Sequence, residues 1–289
     1  MSQGSAPMVT AIIIVLNGER FIAEAIESVR AQSFEDWELL IVDDGSTDRT
    51  IHIAESFAET DPRIRLLRHP DHGNHGMSAT RNLGIAAARG DYIGFLDADD
   101  RWLPEKLAEQ VAILAAEPRT GMVYGRTSIW HSWQPGAVKG NYFYDLGVAP
   151  DRTYDPPRLL FNLLPNRFQT PTTCNALMRR EAVIAVGGFD PLFRTMFEDQ
   201  LFFAKLMASF PVHVSGRCWA LYRQHEEATS AREAGVEEVA RAQGRYLAAL
   251  SRHLGTRKRF SRERLAVERQ RLAVRARGAR FGLKRMLGR

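Results

Sequence analysis

Continuous apolar runs, separated by helix-like segments, dominate the first part of the chain. Residues 9–16 read VTAIIIVL, a continuous run that is typical of a parallel strand covered on both faces. Residues 37–42 predict a second buried strand, and RIRLLRH at residues 63–69 and DYIGFL at residues 91–96 predict the third and fourth. The intervening segments, such as residues 21–29, repeat apolar residues at three- and four-residue spacing. Because strand and helix alternate four times, the sequence predicts a doubly wound α/β sheet.

The pattern is less regular after the fourth repeat. Residues 121–130 predict another strand, and residues 131–170 predict loops and short elements. A helix is expected to begin at Glu198, and two short strands are expected near residues 212–214 and 218–222.

The charge of the chain is divided unevenly along its length. The formal net charge is +5, but the segment from Arg241 to the end has 16 Lys and Arg against 2 acidic residues, which leaves −9 for residues 1–240. Apolar residues repeat with helical spacing from Val236 onwards, so this basic segment is expected to be helical. It could lie on an anionic membrane surface, or its apolar face could pack on the rest of the protein.

Other features narrow the class of protein. The two cysteines, Cys174 and Cys218, are too few for a disulfide framework or a zinc ribbon, and both are expected to be reduced. No segment approaches the roughly 18 apolar residues of a membrane span, and the first residues lack the features of a signal peptide. We therefore expect a cytoplasmic protein that could be peripheral at the inner face of the membrane.

Aspartates follow two of the predicted strands. Asp43 and Asp44 end the second strand, and Asp97 and Asp99 end the fourth, in the stretch YIGFLDADDRW. Ligands of doubly wound sheets bind beyond the carboxyl ends of the strands, so the two acidic pairs are expected to face one crevice. A small hard cation such as Mg²⁺ or Mn²⁺, held by carboxylates, phosphate oxygens and water, would relieve their repulsion. Alternatively, these aspartates are ordinary turn and helix-cap residues.

Four segments in unbroken order carry a family resemblance. They are the run from IIIVLNGERF to IVDDGSTDRT, then GMSATRNLGIAAARGDYIGFLDADDRW, GGFDPLFRTMFEDQLFFAKL and YRQHEEATS. Together they resemble the motifs of family 2 glycosyltransferases with the GT-A fold, over about residues 9–230. The resemblance implies a Rossmann-like, mostly parallel sheet flanked by helices over residues 1–230, with a nucleotide-sugar half of about 1–125 and an acceptor half of about 126–230. A helical, basic C-terminal extension over residues 231–289 would follow.

The resemblance also implies a donor site. The donor would be a nucleotide sugar, with UDP as the expected nucleotide. Asp44 would contact the base, with Asp43 beside it, and Asp97 would lie near the ribose and sugar. Asp99 would bind the metal, Mn²⁺ or Mg²⁺, that bridges the diphosphate. Asn17 and Glu19 resemble the loop that walls the nucleotide pocket. Arg81 opens a helix near the donor crevice, although a solvated or salt-bridged arginine is the alternative.

The catalytic base would be Asp199, preceded by Glu198. A carboxylate that takes the proton of an acceptor hydroxyl, across the sugar from the leaving diphosphate, gives inversion in one step. The acceptor of this hexosyltransferase-type reaction would be a saccharide, a lipid-linked or a protein-linked group, and no nucleic-acid partner is expected. By its place in the family pattern, His225 would lie near the diphosphate or the acceptor, whereas a structural histidine is the alternative.

Two rival functions and one group of aromatic residues stay open at this point. A dinucleotide-dependent oxidoreductase would need a G-x-G-x-x-G turn after the first strand, where this chain has LNGERF. An adaptor could use the basic tail to bind nucleic acid or membrane. Several aromatic residues in the irregular region could stack on an acceptor sugar or fill a small satellite core. They are Trp130, Trp133, Tyr142, Phe143 and Tyr144.

Overall fold

The protein is represented by a computed structural model that describes residues 6–165, 168–194, 196–226, 228, 235–255 and 261–286. Within these residues nine strands form one sheet. They are β1 (Val9–Val15), β2 (Trp37–Asp43), β3 (Ile64–Arg68), β4 (Tyr92–Asp97), β5 (Arg101–Trp102), β6 (Met122–Trp130), β7 (Arg152–Tyr154), β8 (Leu177–Arg179) and β9 (Val212–Arg223).

The helices of the described residues connect these strands and follow the last of them. They are α1 (Ile22–Arg30), α2 (Thr50–Thr60), α3 (Met77–Ala87), α4 (Lys106–Ala116), α5 (Arg158–Leu163), α6 (Arg180–Ala185), α7 (Glu198–Ser209), α8 (Val236–Gly255) and α9 (Ser261–Met286).

The sheet confirms the predicted α/β class and is mixed in its second half. Its strand order is β3-β2-β1-β4-β8-β6-β9-β5, and β7 pairs with β9. The strands β3, β2, β1 and β4 are parallel. The short strand β8 runs antiparallel to both β4 and β6, whereas β6 and β9 are parallel. The parallel half therefore matches the expectation of a mostly parallel sheet, and the short β8 makes the other half mixed.

A bulge explains why the sequence predicts two strands where the structure has one. The strand β9 runs without a break from Val212 to Arg223, but its register against β6 shifts between Tyr124 and Thr127. Gly125 lies at this shift, where an added Cβ would be 2.4 Å from the carbonyl oxygen of Arg217. A glycine permits that close approach, and the bulge interrupts the apolar alternation that a sequence pattern can detect.

The hydrophobic core lies on both faces of the sheet, as the continuous apolar strands require. Along β1, the side chain of Ile12 packs on one face, and the side chains of Ala11 and Ile13 pack on the other. The helices α1, α2 and α4 cover the second of these faces. The first is covered by α5 to α8, together with residues of α3 and α9. This arrangement leaves the carboxyl ends of β1, β2 and β4 at one edge.

The C-terminal helix α8 packs on the rest of the protein. Tyr246, Leu247, Leu250 and Leu254 are fully or almost fully buried in the same core as α7. The ring of Tyr246 stacks on that of Phe197, with ring centroids 5.6 Å apart. The sequence left open whether the basic segment lies on a membrane surface or packs on the rest of the protein. The helix α8 packs on the rest of the protein.

The helix α9 contributes to the same core with one face only. Val267 and Val274 are buried, whereas Leu265 and Leu272 are 53% and 63% exposed. Within the described residues no helix is both long and apolar enough to cross a membrane. Cys174 and Cys218 are free cysteines, as predicted.

Candidate active site

The two aspartates at the end of β2 hold neighbouring turns. The Asp43 carboxylate accepts the backbone N–H groups of Gly45 (3.1 Å) and Ser46 (3.1 Å). The Asp44 carboxylate accepts those of His75 (2.7 Å) and Gly76 (3.0 Å), just before α3. Both aspartates are buried. Both carboxylates therefore bind backbone N–H groups of loops, as the turn interpretation predicts. Asp44 also joins the β2–α2 loop to the start of α3.

The loop between β1 and α1 is fastened to the same β2–α2 loop. The side-chain carbonyl of Asn17 accepts the backbone N–H of Thr47 (2.8 Å), and the carboxylate of Glu19 accepts that of Arg49 (3.0 Å). Asn17 has a φ of 51°, a left-handed conformation that Asn tolerates better than most residues. Asn17 and Glu19 therefore fix the two loops that flank the end of β2, and both residues are exposed.

Arg81 joins two distant acidic segments. Its guanidinium donates to Asp97 Oδ1 (2.9 Å), at the end of β4, and to Glu198 Oε1 (3.3 Å), at the start of α7. The Arg81 side chain is 3% exposed. Although burial by itself lowers the pKa of Arg81, the adjacent charges of Asp97 and Glu198 outweigh it and raise that pKa. The arginine is thus a buried cation shared by the Asp-x-Asp motif and the acidic pair of α7.

Asp199 lies beside this cluster, in the first turn of α7. Burial and the charge of Glu198 raise the pKa of Asp199 to about 7, against the opposing effect of Arg81. The charge of Asp97 contributes in the same upward direction, which places Asp199 within electrostatic range of the end of β4. A carboxyl group with a pKa near neutrality has the property that a general base needs.

The end of β9 meets the end of β4 on the other side of the motif. His225 Nε2 lies 2.9 Å from Asp99 Oδ2. Arg223 donates from its side chain to the Asp99 carbonyl oxygen (2.6 Å) and from its backbone N–H to Asp100 Oδ1 (2.9 Å). Burial, with the charges of Asp99 and Asp97, raises the pKa of Asp100 well above its usual range. Asp100 therefore serves the loop, and Asp97 and Asp99 remain for a ligand.

The donor set around Asp99 fits a divalent cation that is completed by a ligand. Asp97 and Asp99 are 27% and 32% exposed, and the imidazole of His225 stands beside Asp99. Carboxylate groups suit Mg²⁺ and Mn²⁺. In the part of the chain that is described, no group of three or more His, Cys, Asp or Glu side chains could hold a metal by itself. Phosphate oxygens and water would have to supply the remaining ligands, as is usual for Mg²⁺ at phosphate sites.

The structure thus brings most of the predicted site residues to one edge of the sheet. Asp97, Arg81 and Asp199 form one electrostatic cluster, and Asp99 adjoins it through the same turn. Asp43 and Asp44 end the strand β2, two places from β4 in the sheet.

Sequence reasoning missed two contributors to this edge. Thr173 donates its hydroxyl to Asp97 Oδ2 (2.7 Å) from the loop before β8, where no local pattern marks it. Arg223 stands in the YRQH segment, next to the histidine that the family pattern singled out, so its position was a usable signal.

A comparison with protein families identifies the group to which this fold and site belong. The model of the family "Glycosyl transferase family 2" matches residues 10–187. The chain belongs to this family. The match covers β1 to β8 and ends before the acidic pair of α7, so the family 2 assignment rests on the half of the site that contains Asp97 and Asp99.

Curated relatives of this family 2 chain come from several bacteria. The chain is 47% identical over 94 residues to the uncharacterized glycosyltransferase EpsJ of Bacillus subtilis, which covers 32% of this chain and 26% of EpsJ. It is 36% identical over 108 residues to the putative teichuronic acid biosynthesis glycosyltransferase TuaG of the same organism, covering 37% and 42%. It is 28% identical over 204 residues to the uncharacterized glycosyltransferase RT0329 of Rickettsia typhi, covering 71% and 60%. The matches therefore span less than two thirds of each of these relatives.

Solved glycosyltransferase structures share the fold. Residues 1–349 of S. aureus TarS, in complex with UDP-GlcNAc, superpose with a TM-score of 0.66 at 19% identity, over 83% of this chain and 66% of that one. The mannosyltransferase PcManGT from Pyrobaculum calidifontis, in complex with GDP-Man and Mn²⁺, superposes with a TM-score of 0.58 at 19% identity, over 95% and 75%. The family 2 chain therefore has the GT-A fold.

Proposed function

We propose that this protein is a metal-dependent, inverting glycosyltransferase that transfers a sugar from a UDP-linked donor to an acceptor hydroxyl. The acceptor would belong to a polysaccharide, a glycolipid or a protein-linked glycan. The printed name of TuaG refers to teichuronic acid biosynthesis, and TarS was solved with UDP-GlcNAc, which favours these choices. The glycosyltransferase domain would extend over about residues 1–230.

The observation that carries the proposal is the ion-pair cluster of Asp97, Arg81 and Glu198. It joins the end of a donor-side strand to the helix that starts with the acidic pair, and Arg81 and Glu198 are 117 positions apart in the chain. A donor held at the Asp97 end would therefore have Asp199 nearby, on a rigid helix. Positioning of this kind is what a displacement at the anomeric carbon requires.

The residues of the donor end have distinct roles in this proposal. Asp99, with His225 beside it, would hold the divalent cation, which when bound would stabilise negative charge on the leaving diphosphate. Asp97 would face the ribose and the sugar, held in place by Arg81 and Thr173. Asp44 would contact the base, with Asp43 beside it, and Asn17 and Glu19 would wall the same pocket.

Asp199 would act on the acceptor. An acceptor hydroxyl has a pKa far above neutrality and becomes a good nucleophile only as its proton is removed. Because the pKa of Asp199 is raised to about 7, its carboxylate is basic enough to take that proton and is still ionised in much of the protein at neutral pH.

Calorimetry with UDP and Mn²⁺ tests the metal and base assignments together. Asp99→Ala is expected to abolish Mn²⁺-dependent UDP binding. Asp199→Asn is expected to bind UDP nearly as the parent does but to lose about 10²- to 10⁴-fold in UDP release from a UDP-sugar. Asp36→Ala is the matched control, because Asp36 is an exposed aspartate just before β2, at the opposite edge of the sheet. Parent-like UDP affinity in Asp99→Ala would refute the metal assignment.

We also propose peripheral contact with the inner face of a membrane through α9. Leu265 and Leu272 lie seven residues apart on one exposed face of the helix, away from the buried Val267 and Val274. The basic segment that contains them is rich in arginine. Exposed leucines on an arginine-rich helix suit an anionic lipid surface, which would also present lipid-linked acceptors.

Flotation with liposomes of phosphatidylglycerol and phosphatidylcholine tests this contact on the full chain. The double variant Leu265→Ser/Leu272→Ser is expected to float less than the parent. Leu192→Ser, at an 80% exposed leucine outside α9, should float as the parent does. Equal, negligible flotation of the parent and the double variant would contradict the membrane contact.

A further inference from the structure

Three consecutive aromatic residues are exposed in the segment that follows β6. Tyr142, Phe143 and Tyr144 are 44%, 48% and 50% exposed. Large aromatic side chains grouped on a surface commonly mark a binding site, whereas single exposed ones need no explanation. The packing of this group identifies which rings belong together.

The two tyrosines point to the same side of the sheet. Tyr142 pairs with Ile129 of β6 through two backbone hydrogen bonds, of 2.9 Å and 3.4 Å. Because directly opposed residues share a face and alternate residues repeat it, Tyr142, Tyr144 and His131 project together. The His131 ring stacks on Tyr142 at 6.0 Å, and the Tyr144 ring meets Tyr142 edge-on at 5.4 Å.

Phe143 projects to the opposite side. Phe143 stands between Tyr142 and Tyr144 and so alternates with them, and its ring lies 5.8 Å from the guanidinium carbon of Arg126. The two hydroxyl groups of Tyr142 and Tyr144, by contrast, lie 3.3 Å apart. The tyrosine face thus combines flat apolar rings with adjacent hydroxyl groups.

Side-chain contacts link β6, which lies beneath this tyrosine face, to the candidate active site. Thr127, two residues before Ile129, lies with its hydroxyl 3.2 Å from that of Thr172. The next residue, Thr173, donates to Asp97 at 2.7 Å.

A second link to the candidate active site starts from Trp133, which lies just after β6. Trp133 donates its indole N–H to the carbonyl oxygen of Gln224 (2.8 Å), and its ring centroid is 6.4 Å from that of His225. The segment from His131 to Tyr144 is therefore anchored to both the Asp97 and the Asp99 sides of the site.

We propose that Tyr142, Tyr144 and His131 form a platform that binds the saccharide portion of the acceptor. This inference rests on the proposed function, since it assigns the acceptor side of the same site. A pyranose ring has a face of C–H groups that packs on an aromatic ring, and its hydroxyl groups can bond to the tyrosine hydroxyls and the imidazole. The hydrogen bond with Tyr144, followed by burial, raises the pKa of Tyr142, so that its hydroxyl keeps its proton.

The platform also explains the exposure of these rings. The aromatic residues in this segment thus divide by role. Trp133 packs beside His225 and Phe21 as a support, and the exposed tyrosines receive the ligand.

The test measures oligosaccharide binding to the full chain with UDP and Mn²⁺ present. Maltotetraose, chitotetraose and mannotetraose are the probes, each titrated by calorimetry and by saturation-transfer NMR. At least one is expected to bind the parent, and Tyr142→Ala and Tyr144→Ala are each expected to weaken that probe at least tenfold. Tyr142→Phe, which keeps the ring, is expected to lose less than Tyr142→Ala. Phe143→Ala, an equally exposed ring on the opposite face, should bind within twofold of the parent.

The outcomes separate this inference from the proposed function. UDP affinity in the presence of Mn²⁺ should be the same in the parent and in all four variants. Failure of the parent to bind UDP would refute the proposed donor, whereas a loss of tetrasaccharide binding confined to the two tyrosine-to-alanine variants would still support the platform. Parent-like tetrasaccharide binding in those variants would overturn the platform, and so would the absence of binding by all three probes.

Discussion

Replacement of Glu198 by Gln is expected to move the acidic limb of the pH–activity profile to lower pH. Glu198 and Asp199 are neighbours in the first turn of α7, and after burial the charge of Glu198 is the largest cause that raises the pKa of Asp199. A base with a pKa near 7 loses activity as the pH falls below 7, because it is then protonated. At pH 6 only about a tenth of such carboxyl groups are ionised.

The size of the shift follows from Coulomb's law. For two unit charges about 6 Å apart at an effective dielectric constant of about 40, the repulsion is about 1.4 kcal/mol, which is about one pKa unit. Removal of the Glu198 charge also leaves the Arg81 cation, 3.3 Å from Glu198, less neutralised. That second effect favours the ionised form of Asp199 as well. Both effects therefore lower the pKa of Asp199, and we expect the limb to move down by about one unit.

The assay is UDP release from a UDP-sugar, recorded as kcat/KM between pH 5 and pH 9. Glu181→Gln provides the matched control, because Glu181 is an exposed acidic residue in the first turn of another helix, α6. The control should keep the parent profile. An acidic limb that stays in place or moves to higher pH in Glu198→Gln would show that Asp199 does not titrate under the influence of Glu198, and the base assignment would lose its electrostatic support.

Three further outcomes are expected. Arg81→Met should lower the free energy of unfolding in urea by about 3 to 5 kcal/mol, because Asp97 and Glu198 lose the buried cation that they share; a loss below about 1 kcal/mol would contradict the buried ion pair. Gly84→Ala should lower the Tm, because the added Cβ would lie 2.7 Å from a methyl carbon of β1, whereas Gly244→Ala, with open space around it, should leave the Tm unchanged or higher. Equal losses in both glycine variants would argue against crowding at α3. Removal of metal by EDTA should weaken UDP binding, and added Mn²⁺ should restore it; UDP affinity that is indifferent to EDTA would contradict metal dependence.

The parallel half of the fold could be predicted because its information is local. The strands at residues 9–15 and 37–43 are mostly apolar, and Asp43 and Asp44 mark the carboxyl end of the second one. The short strand β8 has only three residues, too few to show a period. The bulge at Gly125 likewise interrupts the pattern of β9, so the mixed half of the sheet could be described only from the structure.

The sequence indicated which residues would form the candidate site. It did not indicate which of these residues contact one another. Sequence reasoning left Arg81 open between a solvated side chain and a donor-site residue, and the structure buries it between Asp97 and Glu198. No local pattern encodes a pair of contacts to residues 16 and 117 positions away. Sequence reasoning likewise left Asp44 open between a ligand contact and a turn role, and the structure shows its carboxylate accepting two backbone N–H groups.

The stacking of Tyr246 on Phe197 changes how the C-terminal segment can be manipulated. Phe197 has a φ of 62° and immediately precedes Glu198, so a residue of α8 braces the backbone from which the acidic pair projects. Charge alone divides the chain near residue 240, but a deletion there would remove Tyr246 and the leucines that bury the outer surface of α7. In a shortened form of the protein, the effect of losing the tail could therefore not be separated from damage to α7. Point substitutions on the exposed face of α9 avoid this difficulty.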